Sequence, residues 1–340
     1  MKRRFLPAAL ALAFTAVATA AVAAETVDIK LATILPVGTS GHQSLLEMRA
    51  AWQKASGPAV KLTIYAGMAD GESLLVKKMR ARQINAAVLT AVGLAEIDRS
   101  VSSLQLMPMV FHDWREVDHV REKIRPELES RLRAKGFEVL FWADAGWVRY
   151  FSKEPGAHPD DYKKMKLFVL AGGSHEMESF RELGYQPVSL ETEQILPALT
   201  TGMVNVVPVP PFLANALQFN REANHMLDVN WVPIVGAAIV RHDTWERIPP
   251  ALRARLQEIA TAAAGKIRTQ TRAEDDDAIV AMKKNGLVVQ PATPEILAAW
   301  RALAARSYPM IRGPIVPAEI FDKVQATLAE FRAIQGNNSP

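Results

Sequence analysis

Strand and helix patterns alternate along this chain, and the alternation restricts its fold more than any other feature. Residues 27–33 alternate apolar and polar side chains and run into a loop containing proline and glycine, as a half-buried strand does. An amphipathic helix pattern covers 42–55, and a second alternating run covers 60–65. Because a strand, a helix and a strand in succession form parallel strands with a right-handed crossover, the chain is predicted to have an α/β fold.

The same patterns continue along the chain. Further helices are predicted at 72–83, 113–134, 174–183 and 192–201, and further strands at 86–89, 137–141, 148–152, 165–170 and 204–209. The longest helical pattern covers 250–284, and a helix of that length is predicted to bridge two lobes. Three aspartates stand in succession within it, at 275–277. Successive residues on a helix point in different directions, so we interpret these as a solvated face rather than a cation site.

The first 24 residues have the composition of a secretory signal peptide. Basic residues at 2–4 precede an apolar run over 5–22 with small residues at its end. The run is rich in alanine and shorter than the ~20 strongly apolar residues of a membrane-spanning helix. The chain contains no cysteine, which excludes a lipid anchor on a thiol, disulfides and Cys-based metal sites. We therefore expect a periplasmic protein released by cleavage.

Charge and length restrict the partners and the number of domains. The net charge is +4, but the leader holds three of the 40 basic residues and none of the 36 acidic ones, leaving 37 against 36. A nearly balanced surface argues against nucleic acid as a partner. The 316 residues after position 24 exceed what one core usually serves. We predict lobe I at 25–145 and 231–268, lobe II at 146–230 and 269–335, and a disordered tail at 336–340.

No set of residues suits catalysis or metal binding. His175 and Glu176 begin like a zinc-protease motif, but Ser179 stands where the second ligand belongs. The Gly-Gly-Ser-His-Glu run over 172–176 lacks the closing glycine of a nucleophile elbow. The sequence therefore predicts a binding protein with no catalytic residue, no metal site and no cofactor.

Several motifs, in order and spacing, resemble those of one family. They include Ile-Lys-Leu-Ala-Thr at 29–33, Gln-Ile-Asn-Ala at 83–86, Leu-Gly-Tyr-Gln-Pro-Val at 183–188 and Glu-Gln-Ile-Leu-Pro-Ala-Leu-Thr-Thr-Gly-Met-Val-Asn at 193–205. The chain resembles the periplasmic solute-binding proteins of tripartite ATP-independent periplasmic (TRAP) transporters, DctP type. The resemblance implies a two-lobed periplasmic-binding-protein fold with a hinge and a long bridging helix. It also implies cleft closure on a small-molecule solute, which DctQ/DctM-like membrane subunits then receive, and we expect a monomer.

Two positions depart from the family pattern. Where many members carry an arginine that pairs with a solute carboxylate, this chain has Phe168, and where an asparagine usually assists, it has Val209. Arg149 matches a second family arginine. A helix start near His175 and Glu176 would face the solute and receive an anion on its free amides. The predicted ligand-binding residues are Trp142, Asp144, Trp147, Arg149, Phe168, His175, Val209 and Phe212.

The aromatic and apolar side chains in this set predict a largely apolar or aromatic solute. Two alternatives remain open. One is an ordinary carboxylate held by Arg149 and backbone amides. The other is a periplasmic carrier of a lipid-like ligand.

Overall fold

The computed structural model describes residues 26–68, 71–171 and 174–337, which form two α/β lobes. The predicted signal peptide lies outside the described residues. The strands are β1 (Val27–Thr33), β2 (Val60–Tyr65), β3 (Ala86–Thr90), β4 (Phe137–Trp147), β5 (Arg149–Ser152), β6 (Lys166–Leu170), β7 (Gln186–Leu190), β8 (Val206–Val209), β9 (His225–Asp228), β10 (Pro233–Arg241) and β11 (Val288–Pro291). The helices are α1 (Ser40–Ser56), α2 (Glu72–Arg80), α3 (Ala91–Ala95), α4 (Trp114–Ala134), α5 (Pro159–Tyr162), α6 (Ser174–Glu182), α7 (Ile195–Thr201), α8 (Pro211–Ala216), α9 (His242–Glu246), α10 (Pro250–Lys284), α11 (Pro294–Ile311) and α12 (Ala318–Asn337).

The first sheet has the strand order β2-β1-β3-β10-β4. β1 pairs in parallel with β2 and with β3, which confirms the predicted β-α-β unit, whereas β10 runs antiparallel to β3 and β4. α1 and the first half of α10 cover one face, where the buried Trp52 donates from Nε1 to the Leu256 carbonyl at 3.0 Å. α4 and α12 cover the other face with Ile124 and Val324. Both faces are buried, as expected for a mostly parallel sheet.

The second sheet has the order β11-β9-β5-β8-β6-β7. α11 lies on one face, where Trp300 is buried against the rings of Tyr150 and Tyr162. The second half of α10 lies on the other face, where Met282 packs in the same core as Phe151. Each sheet therefore has its own core.

Three connections join the two sheets. Val148 alone separates β4 from β5, residues 229–232 link β9 to β10, and α10 packs on both cores. The two linkers are hydrogen-bonded, because Val148 N donates to Val232 O at 2.9 Å and Trp231 N donates to Val148 O at 3.2 Å. α10 has 35 residues and spans about 50 Å at about 1.5 Å per residue. The predicted bridging helix is confirmed.

An aspartate of α10 holds the junction of β4 and β5. Asp275 is buried and accepts hydrogen bonds from Trp147 N at 3.0 Å and Phe212 N at 3.2 Å. The interpretation of the 275–277 run as a solvated face is therefore wrong for Asp275 and correct for the exposed residues 276–277. The helix crosses the junction at this turn, so one of the three aspartates faces inward.

The predicted lobe boundaries stay a prediction. The predicted lobe II range includes most of α12, but α12 shares a core with α4 of lobe I. α12 also continues to Asn337, into the range predicted to be a disordered tail, and residues 338–340 lie outside the described part of the chain. Within the described ranges, no helix is long and apolar enough to cross a membrane.

Candidate functional site

A cavity of about 230 Å³ lies between the two sheets. Its walls come from the β1–α1 loop, the ends of β3, β6 and β8, the crossover strand β4, and helices α6, α8 and α10. Ligands in open α/β sheets bind beyond the carboxyl ends of the parallel strands, because the loops and helix starts converge there. The cavity is therefore the candidate site.

The walls are mainly apolar and carry five aromatic rings. The rings belong to Phe141, Phe168, Phe180, Phe212 and Trp231. Pro208 and Pro210 flank Val209 at the end of β8. Most ligand pockets are apolar with a few polar groups, and this composition fits such a pocket.

The charged groups in the walls are all acidic. The lining residues of the described chain include Glu72, Asp144, Glu176 and Glu274, and include no lysine, arginine or histidine. The two internal gaps in the description hold Ala-Asp and Gly-Gly, which add no basic side chain.

Glu72 uses its carboxylate to hold its own lobe together. Its oxygens accept from Thr90 N at 2.6 Å, from Thr90 Oγ1 at 2.6 Å and from Gly93 N at 2.9 Å. A side chain at position 93 would begin 2.7 Å from the Glu72 Cβ, so glycine is needed for this approach. Burial raises the pKa of Glu72, and the three hydrogen bonds offset that only partly.

Asp144 is neutralised by two guanidinium groups. Arg121 Nη1 lies 2.6 Å from its Oδ1 and Arg272 Nε lies 3.0 Å from its Oδ2. Both arginines also pair with Asp118, so the cluster contains two positive and two negative charges. The Arg272 guanidinium stacks over the Trp114 ring at 4.3 Å, where the ring face attracts it.

Glu176 differs from both. Over the described chain, its carboxyl group has no hydrogen bond and no ion pair. Burial alone raises its pKa to about 7. Glu274, on α10, also lines the cavity, and its carboxyl group has no hydrogen bond and no ion pair within the described chain.

Four of the eight predicted site residues line this cavity. They are Asp144, Phe168, Val209 and Phe212. Sequence reasoning missed Phe141, Phe180, Trp231, Glu72 and Glu274 as lining residues. The spacing of Glu176 and Phe180 was an available signal, since residues four apart on a helix share a face.

Two of the predicted tryptophans lie elsewhere. On β4 the side chains alternate, so Phe141 faces the cavity while Trp142 faces α4 and donates to Glu129 Oε1 at 3.0 Å. Trp147 packs against the Trp114 ring with centroids 5.0 Å apart. The contacts of Trp142 and Trp147 with α4 therefore correct the prediction that these two side chains lie in the cleft.

Arg149 and His175 also lie outside the cavity. Arg149 follows Val148, which lines the cavity, and so points to the other side of the strand, where its Nε lies 2.7 Å from Asp228 Oδ1. His175 is exposed, 3.6 Å from the carboxylate of Glu178. The predicted anion site on the amides before α6 involves residues 172–173, which lie outside the described residues.

The family model for bacterial extracellular solute-binding protein, family 7 (DctP), matches residues 31–312. The chain belongs to this family. A C4-dicarboxylate-binding periplasmic protein DctP of Rhodobacter capsulatus is 25% identical over 313 residues, covering 90% of this chain and 92% of the relative.

Solved structures of TRAP periplasmic solute-binding proteins share the fold. One from Ralstonia eutropha H16 with bound (S)-2-acetolactate has a TM-score of 0.83 at 19% identity, covering 90% of this chain and 99% of that one. One from Desulfovibrio salexigens with bound orotic acid has a TM-score of 0.80 at 17% identity, with the same coverages. The predicted fold class is confirmed.

Membership of the DctP family confirms the predicted class of function. The chain is an exported, periplasmic TRAP solute receptor rather than an enzyme. The part that membership leaves open is the solute, which the lining of the cavity determines.

Proposed function

We propose that this TRAP receptor binds a small, largely apolar organic solute between its lobes and, as a monomer, delivers it to the membrane subunits of the transporter. The observation that carries the proposal is the composition of the cavity, with five aromatic rings and no basic side chain among the described lining residues. Burying apolar solute surface against such walls contributes about 25 cal/mol per Å².

A simple carboxylate solute fits these walls poorly. The named solutes of the similar structures include acids such as acetolactate, orotic acid and succinate. In this chain Phe168 lines the cavity, and Arg149 pairs with Asp228 outside it. A buried carboxylate without a partner costs several kcal/mol, and the acidic groups already present add repulsion.

The size of the cavity indicates a small solute. Its volume of about 230 Å³ lies below the ~300–1,000 Å³ typical of sites for drug-sized ligands. An apolar cavity of about 150 Å³ holds benzene. A single ring, or an aliphatic chain of similar volume, with a short substituent would fill the site. This volume also argues against the lipid-like ligand of the alternative hypothesis.

The test is isothermal titration of the purified protein with benzyl alcohol and with succinate. We expect wild type to bind benzyl alcohol and to give no measurable heat with succinate. Phe168→Arg should bind succinate at least tenfold more tightly than wild type does, about 1.4 kcal/mol, because it adds a guanidinium to the wall.

Phe168→Leu is the matched control, since it keeps an apolar side chain and should not gain succinate binding. A melting curve of each variant shows whether it is folded. Tight binding of succinate by wild type would contradict the proposal.

A further inference from the structure

The charged groups around the cavity carry an excess of negative charge. Asp144 is neutralised by Arg121 and Arg272, and Glu72 is occupied by three donors. Glu176 and Glu274 have no such partner within the part of the chain that the structure describes. The cavity is therefore acidic as well as apolar.

An unpaired carboxylate is destabilised among apolar side chains, and a positively charged solute would provide the counter-charge that the protein does not. Glu176 and Phe180 lie four residues apart on α6 and line the cavity together. A carboxylate beside an aromatic ring on one helix face offers an ammonium group an ion pair and a ring face in the same region.

The other rings extend this environment. Phe141, Phe168, Phe212 and Trp231 approach from β4, β6, α8 and the β9–β10 linker. Aromatic faces attract cations through the ring quadrupole, most strongly where water is excluded. The same rings would repel a carboxylate placed over their faces.

The geometry points to a small organic cation as the solute, with its apolar body among the aromatic rings and its ammonium group paired with Glu176. This inference rests on the proposed function and narrows the class of solute. The acids named for the similar structures have the opposite charge.

The experiment uses three probes that each contain one ring and differ in charge: benzylammonium is positive, benzyl alcohol is neutral and benzoate is negative. Butylammonium, butanol and butyrate form a second set with an aliphatic body. Dissociation constants are measured by isothermal titration at pH 7.5 with wild type, Glu176→Gln and Glu178→Gln. Glu178 is exposed on the same helix, so its substitution changes the net charge equally without touching the cavity.

We expect the ammonium probe of at least one set to bind wild type at least tenfold more tightly than its neutral partner, and the carboxylate to bind most weakly. Glu176→Gln should lose at least tenfold in affinity for the ammonium and less than threefold for the alcohol, while Glu178→Gln matches wild type.

Other outcomes separate the inference from the proposed function. Equal binding of ammonium and alcohol, or an equal loss of both in Glu176→Gln, would overturn the cation and leave the apolar solute standing. Binding of the carboxylates alone, or of none of the six probes, would overturn both. Circular dichroism of each variant confirms that a lost affinity does not reflect unfolding.

Discussion

The acidic side chains of the cavity differ in their contacts, and the contacts decide what each can do. The Glu72 carboxylate fixes the turn into α3, and the Asp144 carboxylate joins α4 to α10 through Arg121 and Arg272. Glu176 holds nothing in place. A buried charge without a partner is unfavourable, so Glu176 is the side chain that a positively charged solute would stabilise most.

Binding of an ammonium probe should depend on pH through Glu176. Its pKa is raised to about 7 in the empty cavity, so the binding-competent carboxylate rises from about one tenth to about nine tenths of the molecules between pH 6 and pH 8. We expect benzylammonium affinity to rise about tenfold over that range, measured by titration at each pH.

Other carboxyl groups also line the cavity. They belong to Glu72, Asp144 and Glu274, whereas burial raises the pKa of Tyr150, so its phenol stays uncharged over this range. Glu176→Gln is the control, because it should flatten the profile. A profile that keeps its slope in that variant would assign the dependence to another group.

At the scale of single residues, the positions predicted at the ends of β6 and β8 line the cavity, whereas those predicted beside and on β5 do not. Phe168 and Val209 were selected because they replace two residues of the family motif, and both line the cavity. Arg149 was placed by its match to a second family arginine and Trp147 by its aromatic side chain. A strand alternates its faces, however, and Val148 between them is the residue that reaches the cavity. A shift of one residue reverses such a prediction.

At the scale of elements, the junction of β4, β5 and α10 depends on one close contact. Gly146 has φ +87°, and a Cβ there would overlap the Asp275 carboxylate. Asp275 in turn accepts from the amides of Trp147 and Phe212. The glycine therefore allows the long helix to approach the crossover strand.

Gly146→Ala should destabilise the protein by two effects, the positive φ and the displaced carboxylate. Gly136→Ala is the matched control, because Gly136 has φ +88° and open space around its absent side chain. We expect the control to lose about 1 kcal/mol of unfolding free energy, because the positive φ alone disfavours alanine there. Gly146→Ala should lose a further ~1–3 kcal/mol for each buried amide left without its acceptor. Urea unfolding midpoints measure both, and equal midpoints would contradict the role of the contact.

Elements with a regular local pattern were predicted better than segments that depend on pairing with a strand distant in the chain. The bounds of α10, 250–284, agree with the helical pattern, because a long amphipathic repeat is a local signal. β4 continues six residues past its predicted end at 141, through Asp144 and Gly146, where the sequence looks like a turn. Pairing with β10 stabilises that extension, and such pairing is not encoded locally.

At the scale of the whole molecule, the two sheets share three connections, and the cavity lies between them. Hinge closure is biased by contacts that exist only in the closed state. We expect the radius of gyration from X-ray scattering to fall on saturation with the probe that binds most tightly. The same probe added to Glu176→Gln below its dissociation constant should leave the radius unchanged. An unchanged radius in saturated wild type would contradict closure.

The order of the helices in the chain has a consequence for when this protein can fold. α12, the last helix of the described residues, completes the core that contains Ala32 of β1, their first strand. Neither half of the molecule is a continuous stretch of chain, so a partly synthesised polypeptide lacks one wall of its first core until residues 318–337 have been made. For an exported protein we expect this order of elements to delay compaction of the first core until α12 is available to cover it.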